Sequence, residues 1–298
     1  MDFDSYLWAA VPAITLMLII YLVGFFGNVM VVWATFRSKS LSSTCNYLIA
    51  FESIASTIHV TAHWYLGYLI YTGINAVPLQ RCTMVMTIPI IGLCVGNVFV
   101  LMIALDRLAM VIAPMQYRRV NKTYYLVLSC VLGFAYAIYT LLISYFNASN
   151  FPNMKVICII VEAMHGRPFS IYSAISLIMN IITFCCYGLI IAVLKLKNQK
   201  ADKLFKPLMI MIMVIFFSWF LSSVCSTLVS LSDDDALIFY TPLYVGITVN
   251  ISCACNFYIL YFMSSEYRQN FRALLSKIGL YKKMPINVNV VSVSTSRK

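Results

Sequence analysis

Ala104-Leu105-Asp106-Arg107-Leu108-Ala109-Met110-Val111-Ile112-Ala113-Pro114-Met115-Gln116-Tyr117 is the stretch on which the reading of this chain turns. It closes an uncharged apolar run that begins at Thr83. The run ends on an acid–base pair, a Pro follows seven residues after the Arg, and Arg118 and Arg119 come next. Charges are costly at the centre of a bilayer and tolerated at its edge. The stretch therefore reads as a membrane helix ending in an ion pair at the water boundary. An exposed pair of that kind is worth only about 0–1 kcal/mol.

Working outward, 62% of the 298 residues are hydrophobic and 10% are charged. That composition belongs to an integral membrane protein. The net charge of +11 invites a nucleic-acid partner, but the placement of the charges excludes one. Of 21 Lys and Arg, 18 fall in residues 37–39, 107–122, 195–206 and the segment from Arg268 onward. The intervening loops carry only Arg81, Lys155 and Arg167, together with Asp2, Asp4, Glu162 and the run Asp233-Asp234-Asp235. Basic loops face the cytoplasm, which places the N-terminus outside and requires an odd number of spans. The expected class is all-α, a seven-transmembrane helix bundle. Its spans fall at about 9–36, 44–70, 79–113, 123–146, 168–195, 205–231 and 238–262. Residues 1–8 form the outer terminus and 277–298 a cytoplasmic tail. The apolar residues of 264–276 recur at helical spacing with Arg between them, which suits a short amphipathic helix at the interface. The first apolar run is too long for a cleavable signal.

Several motifs carry a family resemblance. Asp106-Arg107 followed by Pro114-Met115-Gln116-Tyr117 resembles the third-helix end and second cytoplasmic loop of rhodopsin-like G-protein-coupled receptors. Their pattern is Asp-Arg-Tyr and then Pro-Leu-x-Tyr, so Leu108 and Met115 depart from it. Gly27-Asn28, the opening Asn46-Tyr47-Leu48-Ile49-Ala50 and Phe216-Phe217-Ser218-Trp219-Phe220 resemble further motifs of that family. Asn256-Phe257-Tyr258-Ile259-Leu260-Tyr261 looks like a degraded Asn-Pro-x-x-Tyr. The chain lacks the family's Trp in span four, its Pro in spans five to seven and its Asp in span two, where Ser56 stands. This pattern of losses is similar to the nematode serpentine chemoreceptors of class SX.

The resemblance implies a receptor and not an enzyme, with no cofactor and no metal. It implies a plasma-membrane location, sensory-neuron cilia included, and a heterotrimeric G protein as partner. It implies a disulfide between Cys82 and Cys158, and a switch built from Asp106, Arg107, Tyr187, Trp219, Asn256 and Tyr261. Arg107 is expected to pair with Asp106 at rest and to meet Tyr187 when active. By alignment, the outer cavity is lined by His59, His63, Leu93, Tyr172, Trp219, Ser222, Ser226, Gly246 and Asn250. That lining suits a small, uncharged or weakly polar extracellular ligand. A peptide docking on the acidic outer loops is the alternative within the same fold. His59 and His63 sit four apart, a spacing that can hold a metal, but no further ligand set accompanies them. A transporter would show repeated halves and paired helix breaks, and the chain has neither. The helix-core polar residues are Asn28, Glu52 and Ser56. Asp106 stands at the inner end of span three; Glu52 is the one acid in the interior of any span, and a buried carboxyl must be paired or neutral. It is expected to be neutral at rest and hydrogen-bonded to Asn28 or Asn256. Asn147-Ala148-Ser149 is a glycosylation sequon on the outer side.

Overall fold

The computed structural model describes residues 3–74, 76–198, 205–229 and 235–277; for residues 3–9 and for 223, 226, 227, 229, 235, 236, 238, 239, 242 and 277 it describes the backbone alone. The helices, in chain order, are α1 (Phe3–Arg37), α2 (Thr44–Val60) and α3 (Ala62–Tyr71). After strand β1 (Val77–Pro78) come α4 (Leu79–Val85), α5 (Thr87–Ile112), α6 (Pro114–Tyr117) and α7 (Lys122–Asn150). Strand β2 (Lys155–Val156) then leads to α8 (Ile160–Ala163), α9 (Arg167–Leu196), α10 (Phe205–Val229), α11 (Asp235–Ala254), α12 (Asn256–Met263) and α13 (Ser265–Lys277).

Seven rods make the bundle, because α2/α3, α4/α5 and α11/α12 are each split at a single residue. Five described helices are long and apolar enough to cross a membrane, and α11/α12 makes a sixth. The remaining rod is α2/α3, whose pieces of 17 and 10 residues meet at Thr61. Thr61 turns its Oγ1 back to Ile58 O at 2.6 Å. Side-chain caps start two helices on the cytoplasmic side: Ser43 accepts from Asn46 N, and Asn121 accepts from Thr123 N and Tyr124 N. Both satisfy amides that a helix start leaves unpaired.

The rod α5 is the axis of the fold. In its apolar window 72% of residues are buried, against 22% for α9. It packs on α2, α7 and α9. Its contact with α2 is close because Gly92 lacks a side chain: an added Cβ would stand 2.6 Å from Ala55 O and from His59 N. Gly24 against Ala254 and Gly27 against Phe257 let α1 approach α11/α12 in the same way. Small residues at helix contacts are the usual means of packing where lipid removes the hydrophobic drive. Val127, Val131, Phe134, Ile138, Leu142 and Phe146 form the opposite kind of surface, an exposed apolar stripe along α7 that suits lipid.

At the outer end, β1 and β2 pair antiparallel with Val77 opposite Val156. The Cys82–Cys158 disulfide joins α4 to the same loop, with the Cα atoms 5.4 Å apart. At the inner end, α13 folds back under the bundle. Its Tyr267 and Phe271 are fully buried, with the Phe271 ring 4.6 Å from that of Phe257. Arg272 lies on its exposed side.

The seventh rod bends by 47° between α11 and α12 although no Pro stands there. Side chains within the helix supply the bend instead. Thr248 Oγ1, Ser252 Oγ and Cys255 Sγ each bond back to the carbonyl three residues earlier, at 2.7, 2.7 and 3.1 Å. Such back-bonding competes with the helix ladder and bends it.

Candidate functional site

The cytoplasmic end of α5 carries a closed ionic cluster. Arg107 Nη2 and Nε donate to Asp106 Oδ2 at 2.7 and 3.1 Å. Tyr117, from α6, donates its hydroxyl to Asp106 Oδ1 at 2.8 Å. Burial, and then the adjacent Asp106 carboxylate, push the Tyr117 hydroxyl up to about 12, so it stays a donor. Burial of the pair corrects the expectation of an exposed one. Asp106 is 1% exposed and Arg107 4%, so the pair lies inside the protein and not at an open edge. The reason is that α6 folds over it, bringing Tyr117 down onto the carboxylate. Tyr187 of α9 is also buried, and among the described residues its hydroxyl has no hydrogen-bond partner.

Midway along the bundle, Glu52 of α2 is buried and accepts two hydrogen bonds. Ser56 Oγ donates to its Oε1 at 2.6 Å and Asn256 Nδ2 to its Oε2 at 2.5 Å. Asn28 is not among its partners. The break between α11 and α12 leaves helix-end carbonyls without intrahelical donors, and Asn28 Nδ2 serves one of them, Cys253 O, at 3.2 Å.

Beside Glu52 lies a cavity of about 30 Å³. Its walls come from α2 (Glu52, Ser56, His59), α5 (Gly92, Leu93, Gly96, Asn97, Val100), α10 (Ile215, Trp219) and α11 (Ser252, Cys253). Its volume is room for about one or two water molecules.

A family model described as serpentine type 7TM GPCR chemoreceptor Srsx matches residues 21–275. The chain belongs to that family. It is therefore a multi-pass membrane receptor of the chemoreceptor class and not an enzyme. Comparison with curated protein sequences gives no match.

Against this Srsx framework the residues expected at the ligand site divide. His59, Leu93 and Trp219 line the cavity. His63 instead bonds Asn250 Oδ1 through Nε2 at 2.6 Å, tying α3 to α11. Tyr172 of α9 is buried against α5 and α7; its hydroxyl accepts from Asn97, and its ring stacks on Tyr136 at 6.2 Å. Gly246 gives its carbonyl to Asn250 Nδ2 and faces Met17. Ser222 is half-buried and is not on the cavity wall. The Ser226 side chain and the acidic residues Asp233 and Asp234 lie outside the described residues. The cavity is thus deeper than the aligned outer pocket. Alignment did not place Glu52, Ser56, Asn97 or Ser252 on the cavity wall. Asn97, the one amide in the apolar run before Arg107, carried the signal that could have found it.

Two further expectations meet local geometry. Tyr261 turns onto α13, stacking on Phe271 and accepting from Arg272 Nε at 3.4 Å. Asn147 lies in the last turn of α7, and its Nδ2 already donates to His165 O at 2.9 Å. The nitrogen that a glycan would need is engaged. Among the described residues no cluster of three metal-ligating side chains occurs.

Proposed function

We propose that this protein is a plasma-membrane chemosensory receptor, sensory cilia included, that binds an extracellular small molecule in the outer half of the helix bundle, above the cavity, and activates a heterotrimeric G protein at its cytoplasmic end. The observation that carries this reading is that one helix runs from the cavity to the inner cluster. The rod α5 gives Leu93, Gly96 and Asn97 to the cavity and Asp106–Arg107 to the inner cluster. Nine residues from Asn97 to Asp106 span about 13 Å of helix, so a small displacement of α5 at the cavity is delivered to the ion pair. The basic inner loops and the acidic outer ones support the orientation with the N-terminus outside.

The test is guanine-nucleotide exchange on a G protein, with the full-length receptor reconstituted in vesicles and challenged with a library of small volatile and water-soluble compounds. At least one compound should drive exchange, and Arg107→Ala should silence it at equal receptor density. A receptor that transports a compound across the vesicle and never drives exchange would overturn the reading.

A further inference from the structure

On the cytoplasmic side, one lysine locks two loops together. Lys122, in the first turn of α7, donates through Nζ to Ser42 O, in the turn before α2. The same ammonium stands over the Tyr47 ring of α2, 3.9 Å from its centroid. Four more cations gather on the two segments so joined. Arg37 and Lys39 lie on one, Arg118 and Arg119 on the other, and all four are exposed. Lys39 and Arg119 each stand three residues from the bridge, so at most about 11 Å of chain separates either from it. Residues 37–44 and 108–124 contain no Asp or Glu. Among the described residues none of the five cations sits in an ion pair. Basic inner loops orient a membrane protein, but orientation asks neither that two loops be clamped nor that their charges meet with no acid between them. An apolar surface runs away from this cluster into the lipid. Tyr47 lies between α1 and α7, with the Phe36 ring of α1 edge-on to it at 5.5 Å. Tyr47, Phe51 and Ile54 recur on one face of α2 at i, i+4 and i+7. Phe36, Ile54 and, on α7, Val127 are exposed.

We propose that this surface seats a phosphoinositide of the cytoplasmic leaflet, its phosphorylated head on the five cations and its acyl chains along the outward face of α2. The inner leaflet is the anionic one, and clustered Lys and Arg beside a membrane helix attract its lipids. The charge count selects among them. A lipid with a single negative charge offsets one of the five cations. An inositol lipid with two phosphate monoesters, each about −1.5 to −2, and one diester carries about four to five negative charges. Arg118 and Arg119 offer the planar forks that hold phosphate oxygens in pairs. The exposed apolar residues below the cluster favour a lipid over a free phosphate. Arg118 follows directly on Tyr117, whose hydroxyl is bonded to Asp106. The bound headgroup therefore steadies the turn that covers the ion pair.

The experiment uses the purified full-length receptor in mixed micelles at constant ionic strength. Native mass spectrometry counts the lipid retained as phosphatidylinositol bisphosphate is titrated in. Phosphatidylserine at equal total charge and free inositol trisphosphate are the comparison arms. The bisphosphate lipid should be retained saturably, and more tightly than either. Arg118→Gln with Arg119→Gln should weaken the apparent affinity at least about tenfold, a factor worth about 1.4 kcal/mol. Arg37→Gln with Lys39→Gln should do the same from the other segment, and carries the test if the first pair does not fold. Lys195→Gln with Lys206→Gln removes the same charge from exposed positions on the next inner loop and should leave retention unchanged. The proposal is overturned if no bisphosphate lipid is retained, if phosphatidylserine is held as tightly, or if the free headgroup binds as well as the lipid. It is overturned too if the control pair weakens retention as much as the others, which would be bulk charge alone. A loss confined to one segment would place the headgroup off the joined surface and sink the proposal as well. The readout needs neither an agonist nor a G protein, so it stands or falls apart from the receptor reading above.

Discussion

Glu52 is held by one hydroxyl and one amide, and that sets what its replacement costs. Glu52→Gln keeps the size and the acceptor oxygen, so the fold should stay close to wild-type stability. Glu52→Leu removes both acceptors and strands Asn256 Nδ2 in a buried site. A buried polar group left without a partner costs about 1–3 kcal/mol. Thermal unfolding of the two variants without ligand should show Leu well below Gln, and equal midpoints would mean that the carboxyl contributes nothing to packing α2 against α12. The importance of Glu52 was legible in the sequence, because one acid in an apolar span is conspicuous on charge alone. Its partners were legible by half. Asn256 was within reach in any alignment, but Asn28 is drawn to Cys253 O by a helix break that no Pro announced.

Gly92 and Gly96 lie one turn apart on α5 and look alike in the sequence, yet α2 treats them differently. At Gly92 a methyl group would meet backbone, Ala55 O and His59 N, both at 2.6 Å. Backbone cannot rotate aside, so Gly92→Ala has to push α5 off α2. Overpacking of that kind costs about 1–3 kcal/mol. At Gly96 the same methyl would make an ordinary contact at 3.6 Å. Gly96→Ala should therefore be near neutral, or stabilising through the gain in helix propensity. Surface expression and unfolding midpoints of the two alanine variants check this, and similar losses at both positions would show that the approach of α2 to α5 is not what Gly92 provides. The bend in the seventh rod was hidden in the same manner. Ser, Thr and Cys are ordinary residues of membrane helices, and only their successive back-bonds at Thr248, Ser252 and Cys255 turn them into a hinge.

The seven-helix class follows from quantities that no local detail can reverse: apolar runs of membrane length, and basic residues confined to alternate loops. The Cys82–Cys158 link likewise needed only the family resemblance. The state of the Asp106–Arg107 pair did not follow, because its burial depends on how α6 folds over it. That burial changes the energetics of the proposed switch. A pair at an open edge would be worth about 0–1 kcal/mol. Removing one partner of a buried pair costs about 3–5 kcal/mol, because the other charge is left uncompensated. Two receptor states that differ by a few kcal/mol can be inverted by a term of that size. Asp106→Asn should release Arg107 and raise basal nucleotide exchange several-fold. Tyr117→Phe removes one hydrogen bond to the carboxylate and should raise exchange less. Tyr187 supplies the discriminating variant. Its hydroxyl is buried with no partner among the described residues, so Tyr187→Phe should cost no resting stability. If the hydroxyl meets Arg107 only in the active state, the same variant should reduce ligand-driven exchange. Basal and driven exchange, measured at matched receptor density with unfolding midpoints alongside, separate these effects. Full signalling from Arg107→Ala, or a Tyr187→Phe receptor that loses stability and keeps its full response, would place the switch elsewhere.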